Sequence, residues 1–128
     1  MKKLLTTLLF TILFLTGKSQ NLIGVSLRDC YKTLDEKGFI INRGYTEQNI
    51  FYLSASDNES VRIYYFTNNN ICAYFAISYP GFTYTDIKAV LNKAGYWQIG
   101  DLFYTNDYKA KIVYLNDYSC FFILVELR

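Results

Sequence analysis

Gly24-Val25-Ser26-Leu27-Arg28-Asp29-Cys30 returns 57 positions later as Gly81-Phe82-Thr83-Tyr84-Thr85-Asp86-Ile87. The register holds through Leu34 and Leu91, then Gly38 and Gly95, then the aromatics Phe39 and Tyr96. Farther along, Phe51-Tyr52 matches Phe103-Tyr104, the run 62–66 matches 111–115, and the run 72–75 matches 120–123. The offset shrinks from 57 to 52, 49 and 48, and the losses fall in turns. An ordered series of matches across two halves reads as a duplicated unit.

The shared opening has a physical cause. Ser26 and Thr83 are good helix N-caps, and Asp29 and Asp86 stand three residues on, where a carboxylate can reach back to the cap backbone. Leu27, Cys30, Tyr31 and Leu34 then fall on one helical face, as do Tyr84, Ile87, Val90, Leu91 and Ala94. Gly38 and Gly95 stand where a helix ends in a left-handed residue. Helices are expected at about 26–37 and 83–94. Strand-like runs follow at about 39–44, 49–55, 60–67 and 71–79, and again at 96–100, 101–105, 108–115 and 118–127. Asn68-Asn69-Asn70 and Asn116-Asp117 are turn formers, so the last two strands of each half form hairpins. The expected fold is α+β, a tandem repeat of a helix followed by an antiparallel β-meander, with both helices on one face of the sheet. The units run from about 21 to 80 and from 81 to 128, joined at Tyr79-Pro80-Gly81.

What precedes these units reads as an export signal. Met1-Lys2-Lys3 is a basic start, 4–16 is apolar and Thr-rich, and Gly17-Lys18-Ser19 supplies small residues for processing. The apolar run is too short to span a bilayer. Residues 1–19 are thus expected to be a signal peptide, and the protein to be exported, periplasmic or extracellular, with no membrane span after signal removal. The leader carries three of the 13 basic residues and none of the 11 acids. The formal charge of +2 therefore becomes −1 in the processed chain, which argues against nucleic acid as a partner.

Composition narrows the chemistry further. Histidine is absent, which removes His-activated nucleophiles and His-ligated zinc. Three cysteines, Cys30, Cys72 and Cys120, form no Cys-x-x-Cys motif. No catalytic residue, metal-ligand set or cofactor motif is identified. Asp57-Asn58-Glu59, Asp101 and Asp107 belong to turns without calcium-loop spacing. Asn58-Glu59-Ser60 matches a glycosylation sequon. Trp97 is assigned to the core, next to Tyr96.

Alternation along the strands separates two faces. Phe121, Ile123, Val125 and Leu127, with Ala73, Phe75, Ile77 and Tyr79, are expected under the helices, as are Ile63, Tyr65, Ile112 and Tyr114. The opposite face would then carry Arg62, Tyr64, Phe66, Tyr74, Lys111 and Phe122, aromatic rings among long basic stems. Such a mixture resembles protein-binding hot spots, and these six are the candidate partner-binding residues. The other readings of this face are ordinary packing and a homodimer interface in a structural envelope protein. A carboxylate hydrolase is the remaining reading. Cys30 reads as a small buried hydrophobe. Cys72 and Cys120 occupy matching outward positions, where a disulfide between the halves is one option.

The repeated Gly-apolar-Ser/Thr-x-x-Asp opening followed by antiparallel strands resembles the β-lactamase-inhibitor-like domains and the related small outer-membrane-assembly lipoproteins. The tandem arrangement is most similar to the inhibitor proteins, in which two such units make one long sheet that grips a partner protein. The chain is also similar to small exported proteins of Gram-negative bacteria. The resemblance implies a non-enzymatic binding module for a protein or peptide partner. There is no lipidation cysteine after the leader, which departs from the lipoproteins, and nothing identifies a β-lactamase as the target.

Overall fold

The computed structural model describes residues 21–128, so the expected leader lies outside the described residues. Among them the chain runs α1 (Leu27–Glu36), β1 (Ile40–Tyr45), β2 (Phe51–Ser56), β3 (Val61–Phe66) and β4 (Cys72–Tyr79). It continues as α2 (Tyr84–Lys93), β5 (Trp97–Ile99), β6 (Leu102–Tyr104), β7 (Tyr108–Leu115) and β8 (Cys120–Leu127). The strands form one antiparallel sheet in the order β1-β2-β3-β4-β8-β7-β6-β5, so the last strand of each half meets at the centre. The fold is α+β. No described helix is long and apolar enough to cross a membrane.

Both helices start and stop as their residues dictate. The Ser26 hydroxyl accepts from the Asp29 amide at 3.2 Å. Thr83 makes the full reciprocal box: its hydroxyl accepts from the Asp86 amide at 3.1 Å, and its own amide donates to Asp86 Oδ2 at 2.9 Å. At the other ends Gly38 and Gly95 take φ of 82° and 90°. The chain then turns back, with the Phe39 amide donating to Leu34 O and the Tyr96 amide to Leu91 O. Helix α1 buries Cys30 and Leu34, and α2 buries Ile87, Val90 and Leu91. These pack on one sheet face against Leu53, Tyr64, Phe75, Phe103, Ile123 and Val125, forming the main core.

The expected faces hold along β7 and β8 and along most of β4, and fail on β3. Arg62 pairs with Ile77 and Tyr64 with Phe75, on the helix side, and Phe66 follows them to Cys72. Arg62, Tyr64 and Phe66 therefore lie beneath the helices, 1%, 0% and 4% exposed, while Ile63 and Tyr65 take the opposite face. The sequence match aligned Ile63 with Ile112, whereas in the sheet Tyr64 is the residue that stands in the place of Ile112. A slip of one residue exchanges every side chain between faces.

Cys72 departs for a second reason. The ladder pairs Tyr65 with Tyr74 but Phe66 with Cys72, leaving Ala73 as the extra residue of a bulge. The bulge turns Cys72 under the helices, while Cys120 pairs with Leu115 on the other face. With the sheet between them, Cys72 and Cys120 cannot join in a disulfide without rebuilding the strand. All three cysteines are buried. The β7–β8 connection also differs in detail: residues 116–118 form a 3-10 turn, and the left-handed position falls on Ser119 (φ 52°), not on Asn116 or Asp117.

Candidate functional site

Neither helix covers the second face of the sheet. Its residues follow from the register, because directly paired residues share a face. One row crosses all eight strands: Gly44, Tyr52, Tyr65, Tyr74, Glu126, Lys109, Tyr104 and Trp97. Tyr65 and Tyr74 stack with ring centres 4.6 Å apart and planes 20° from parallel. Tyr52 joins them at 6.3 Å. Aromatic pairs of this kind contribute about 0.5–1.5 kcal/mol beyond the area they bury. Tyr52 can lie this flat because its strand partner is Gly44: a Cβ there would meet the Tyr52 hydroxyl at 2.7 Å.

The row changes character past the centre. Lys109 Nζ lies 3.1 Å from Glu126 Oε1, with both side chains about two-fifths exposed, so the pair adds little to stability. At the far end the Arg128 guanidinium sits 5.0 Å from the Tyr104 ring centre and 5.5 Å from that of Trp97. Trp97 is 42% exposed, so it belongs to this surface and not to the core.

Beside the row is a small apolar cluster of Ile63, Ala76, Cys120 and Phe122. Phe122 points away from the helices as expected, yet it is fully buried, because Tyr118 of the 3-10 turn folds over it with ring centres 5.3 Å apart. Lys111 is exposed on the same face, opposite Leu124 and Leu102. Of the six candidates, then, the structure brings Tyr74, Lys111 and Phe122 onto one face and separates Arg62, Tyr64 and Phe66 from them. Tyr52, Tyr65, Tyr104, Lys109, Trp97 and Arg128 were missed. The signal that could have found them is pairing across the sheet, which residue alternation within one strand does not contain.

Burial sets the electrostatics of this face. The Tyr65 phenol is pushed up to about 12, by desolvation first and then by the neighbouring phenols of Tyr74, Tyr118 and Tyr52. Tyr74 is raised by burial and by Glu126, and Tyr118 by burial, Tyr52 and Asp117. These phenols are neutral donors and acceptors at ordinary pH.

Arg62 has a different role. Its guanidinium carbon lies 4.5 Å from the Phe39 ring centre, beside a void of about 10 Å³ lined by Leu22, Thr33, Leu34, Lys37 and Tyr64. Burial lowers its pKa, and Tyr64, Asp57 and Tyr79 oppose that shift. A second concavity of about 240 Å³ lies on the helix side, lined by Leu27, Arg28, Tyr31, Arg43, Phe51 and Leu53. Among the described residues no three His, Cys, Asp or Glu side chains gather as a metal site. Comparison with protein-family models, with curated proteins and with solved structures returns no match for the chain.

Proposed function

We propose that the protein is an exported, non-enzymatic binding module that recognises a protein or peptide partner through the sheet face opposite the helices. The observation that carries this reading is the row Tyr52–Tyr65–Tyr74, continued by Glu126, Lys109, Tyr104 and Trp97, on a face that neither helix covers. Tyrosine, tryptophan and arginine are the side chains that carry most binding energy at protein interfaces, because they offer large rigid areas with a polar tip. The partner-binding residues are thus Tyr52, Tyr65, Tyr74, Lys111, Trp97 and Arg128, with Phe122 as support beneath Tyr118.

The binding module is further proposed to be a duplicated α-β-β-β-β unit, as its resemblance to tandem β-lactamase-inhibitor-like domains implies. The order of one helix and four strands occurs twice along the chain. An offset of 48 carries Phe75 to Ile123 and Ile77 to Val125, and these residues pair crosswise, Phe75 with Val125 and Ile77 with Ile123. Such crossed pairing is what a two-fold relation between halves produces.

The test is capture from periplasm or culture medium with the wild-type chain, Tyr74→Ala and Lys32→Ala, the last lying on the solvent side of α1. A partner held by the wild type and by Lys32→Ala, but lost or weakened at least tenfold by Tyr74→Ala, supports the reading. Equal retention by all three removes this face as the site. A homodimer through the same face is the second reading, favoured by the adjacent Lys109 and Glu126, which an isologous pair could exchange. Sedimentation over a wide concentration range separates it: a monomer throughout sinks the dimer.

A further inference from the structure

The structure assigns Cys30 and Cys72 as a disulfide-forming pair that fastens helix α1 to the start of β4. Just before the helix, the chain lies against the β3–β4 turn as a short antiparallel bridge between Ser26 and Ile71. Three contacts fix it there, and a fourth begins the helix. Gly24 N donates to Cys72 O at 2.8 Å, Cys72 N to Val25 O at 2.9 Å, Leu27 N to Asn70 O at 2.7 Å, and Cys30 N to Ser26 O at 2.8 Å. The Val25 carbonyl is the common point. It accepts the Cys72 amide and also lies 3.7 Å from Cys30 Sγ. The two thiols are neighbours inside the main core at 0% and 1% exposure, with Cys30 Sγ directed at Val25 O and Cys72 Sγ at Tyr74 O, 3.7 Å in each case.

The bulge at Ala73 creates this juxtaposition, since it is what turns Cys72 inward. The second half has no counterpart: Ile87 occupies the place of Cys30, and Cys120 lies on the opposite face. The thiols also differ in acidity. The neighbouring Cys72 thiol lowers the pKa of Cys30, whereas Cys30 and burial raise that of Cys72.

The chemistry is thiol–disulfide exchange with a small-molecule disulfide as oxidant. The Cys30 thiolate attacks one sulfur of the donor and expels a thiolate, giving a mixed disulfide. Cys72 then attacks the Cys30 sulfur, its proton passes to the second departing thiolate, and a second thiol leaves. The two cysteines lose two electrons and two protons, and the donor gains them as two thiols. Because both sulfurs are buried, exchange takes place during folding or local opening. The inference is independent of the partner-binding reading.

The experiment refolds the full chain from denaturant in a buffer of oxidised and reduced glutathione, then counts thiols under denaturing conditions and maps the linked peptides. One free thiol and a peptide joining Cys30 to Cys72 are expected, with the Cys120→Ser variant giving the same link and no free thiol. Three free thiols, or a link that includes Cys120, overturns the assignment. The Cys120→Ser variant keeps the test decisive should Cys30→Ser or Cys72→Ser fail to fold.

Discussion

Tyrosine serves two purposes here, and burial decides which. Tyr64 and Tyr96 have hydroxyls in the core, whereas Tyr52, Tyr74 and Tyr118 remain partly open. The Tyr65 and Tyr96 phenols are each pushed up to about 12, mainly by desolvation, and Tyr64 is raised further still. In the unfolded chain the same phenols ionise near the ordinary tyrosine value of about 10. Between these values the unfolded chain binds fewer protons than the folded one, so stability falls as pH rises through that window and is fully present below it. Denaturant midpoints should therefore drop steeply above about pH 10. Phenolate absorbance of the buried group should appear together with unfolding. A midpoint unchanged up to about pH 12 would contradict the burial of these hydroxyls.

At the scale of elements, the helices were legible in the sequence because their caps are local. Ser26, Asp29, Thr83, Asp86, Gly38 and Gly95 act within a few residues of where they stand. The caps differ in completeness, which gives a measurable order. Thr83→Ala removes one of two reciprocal bonds and should cost about 1 kcal/mol, with Ser26→Ala, which removes a single long bond, costing less. Thermal denaturation of the two variants ranks them. Strand faces were legible on β7 and β8, where one set of alternate residues is uniformly apolar. They were not legible on β3, because Val61, Ile63 and Tyr65 are as apolar as Tyr64 and Phe66. A charged residue, Arg62, then pointed the wrong way, since its guanidinium is accommodated over Phe39. The candidate site suffered most, because three of its six residues came from that strand. Helix α1 also fits this scale. It buries two core side chains against three for α2, and a Cys30–Cys72 link would offset that difference. Closing a loop of this length adds about 4 kcal/mol in the loop-entropy account.

For the whole molecule the decisive contact is the seam between β4 and β8. Ile123 is fully buried there, paired with Ile77 and Ile112 on its two sides. Ile123→Ala should destabilise the fold by about 2–5 kcal/mol. It should also leave a single unfolding transition, seen alike by Trp97 fluorescence and by backbone circular dichroism. Two separated transitions would mean that the halves are not coupled through the seam.

The seam has a further consequence, in time and not in space. Its pairs run from Tyr79 with Phe121 to Tyr74 with Glu126, residues 42 to 52 positions apart, and one member of every pair belongs to the final strand. Neighbouring strands within each half close over short turns, but the centre of the sheet is completed only by β8, the last strand in chain order among the described residues. Long-range antiparallel closure of this kind is slow, since the loop must be ordered before the contact is gained. Each half can therefore form its own hairpins early, while the middle of the sheet closes only when β8 reaches β4.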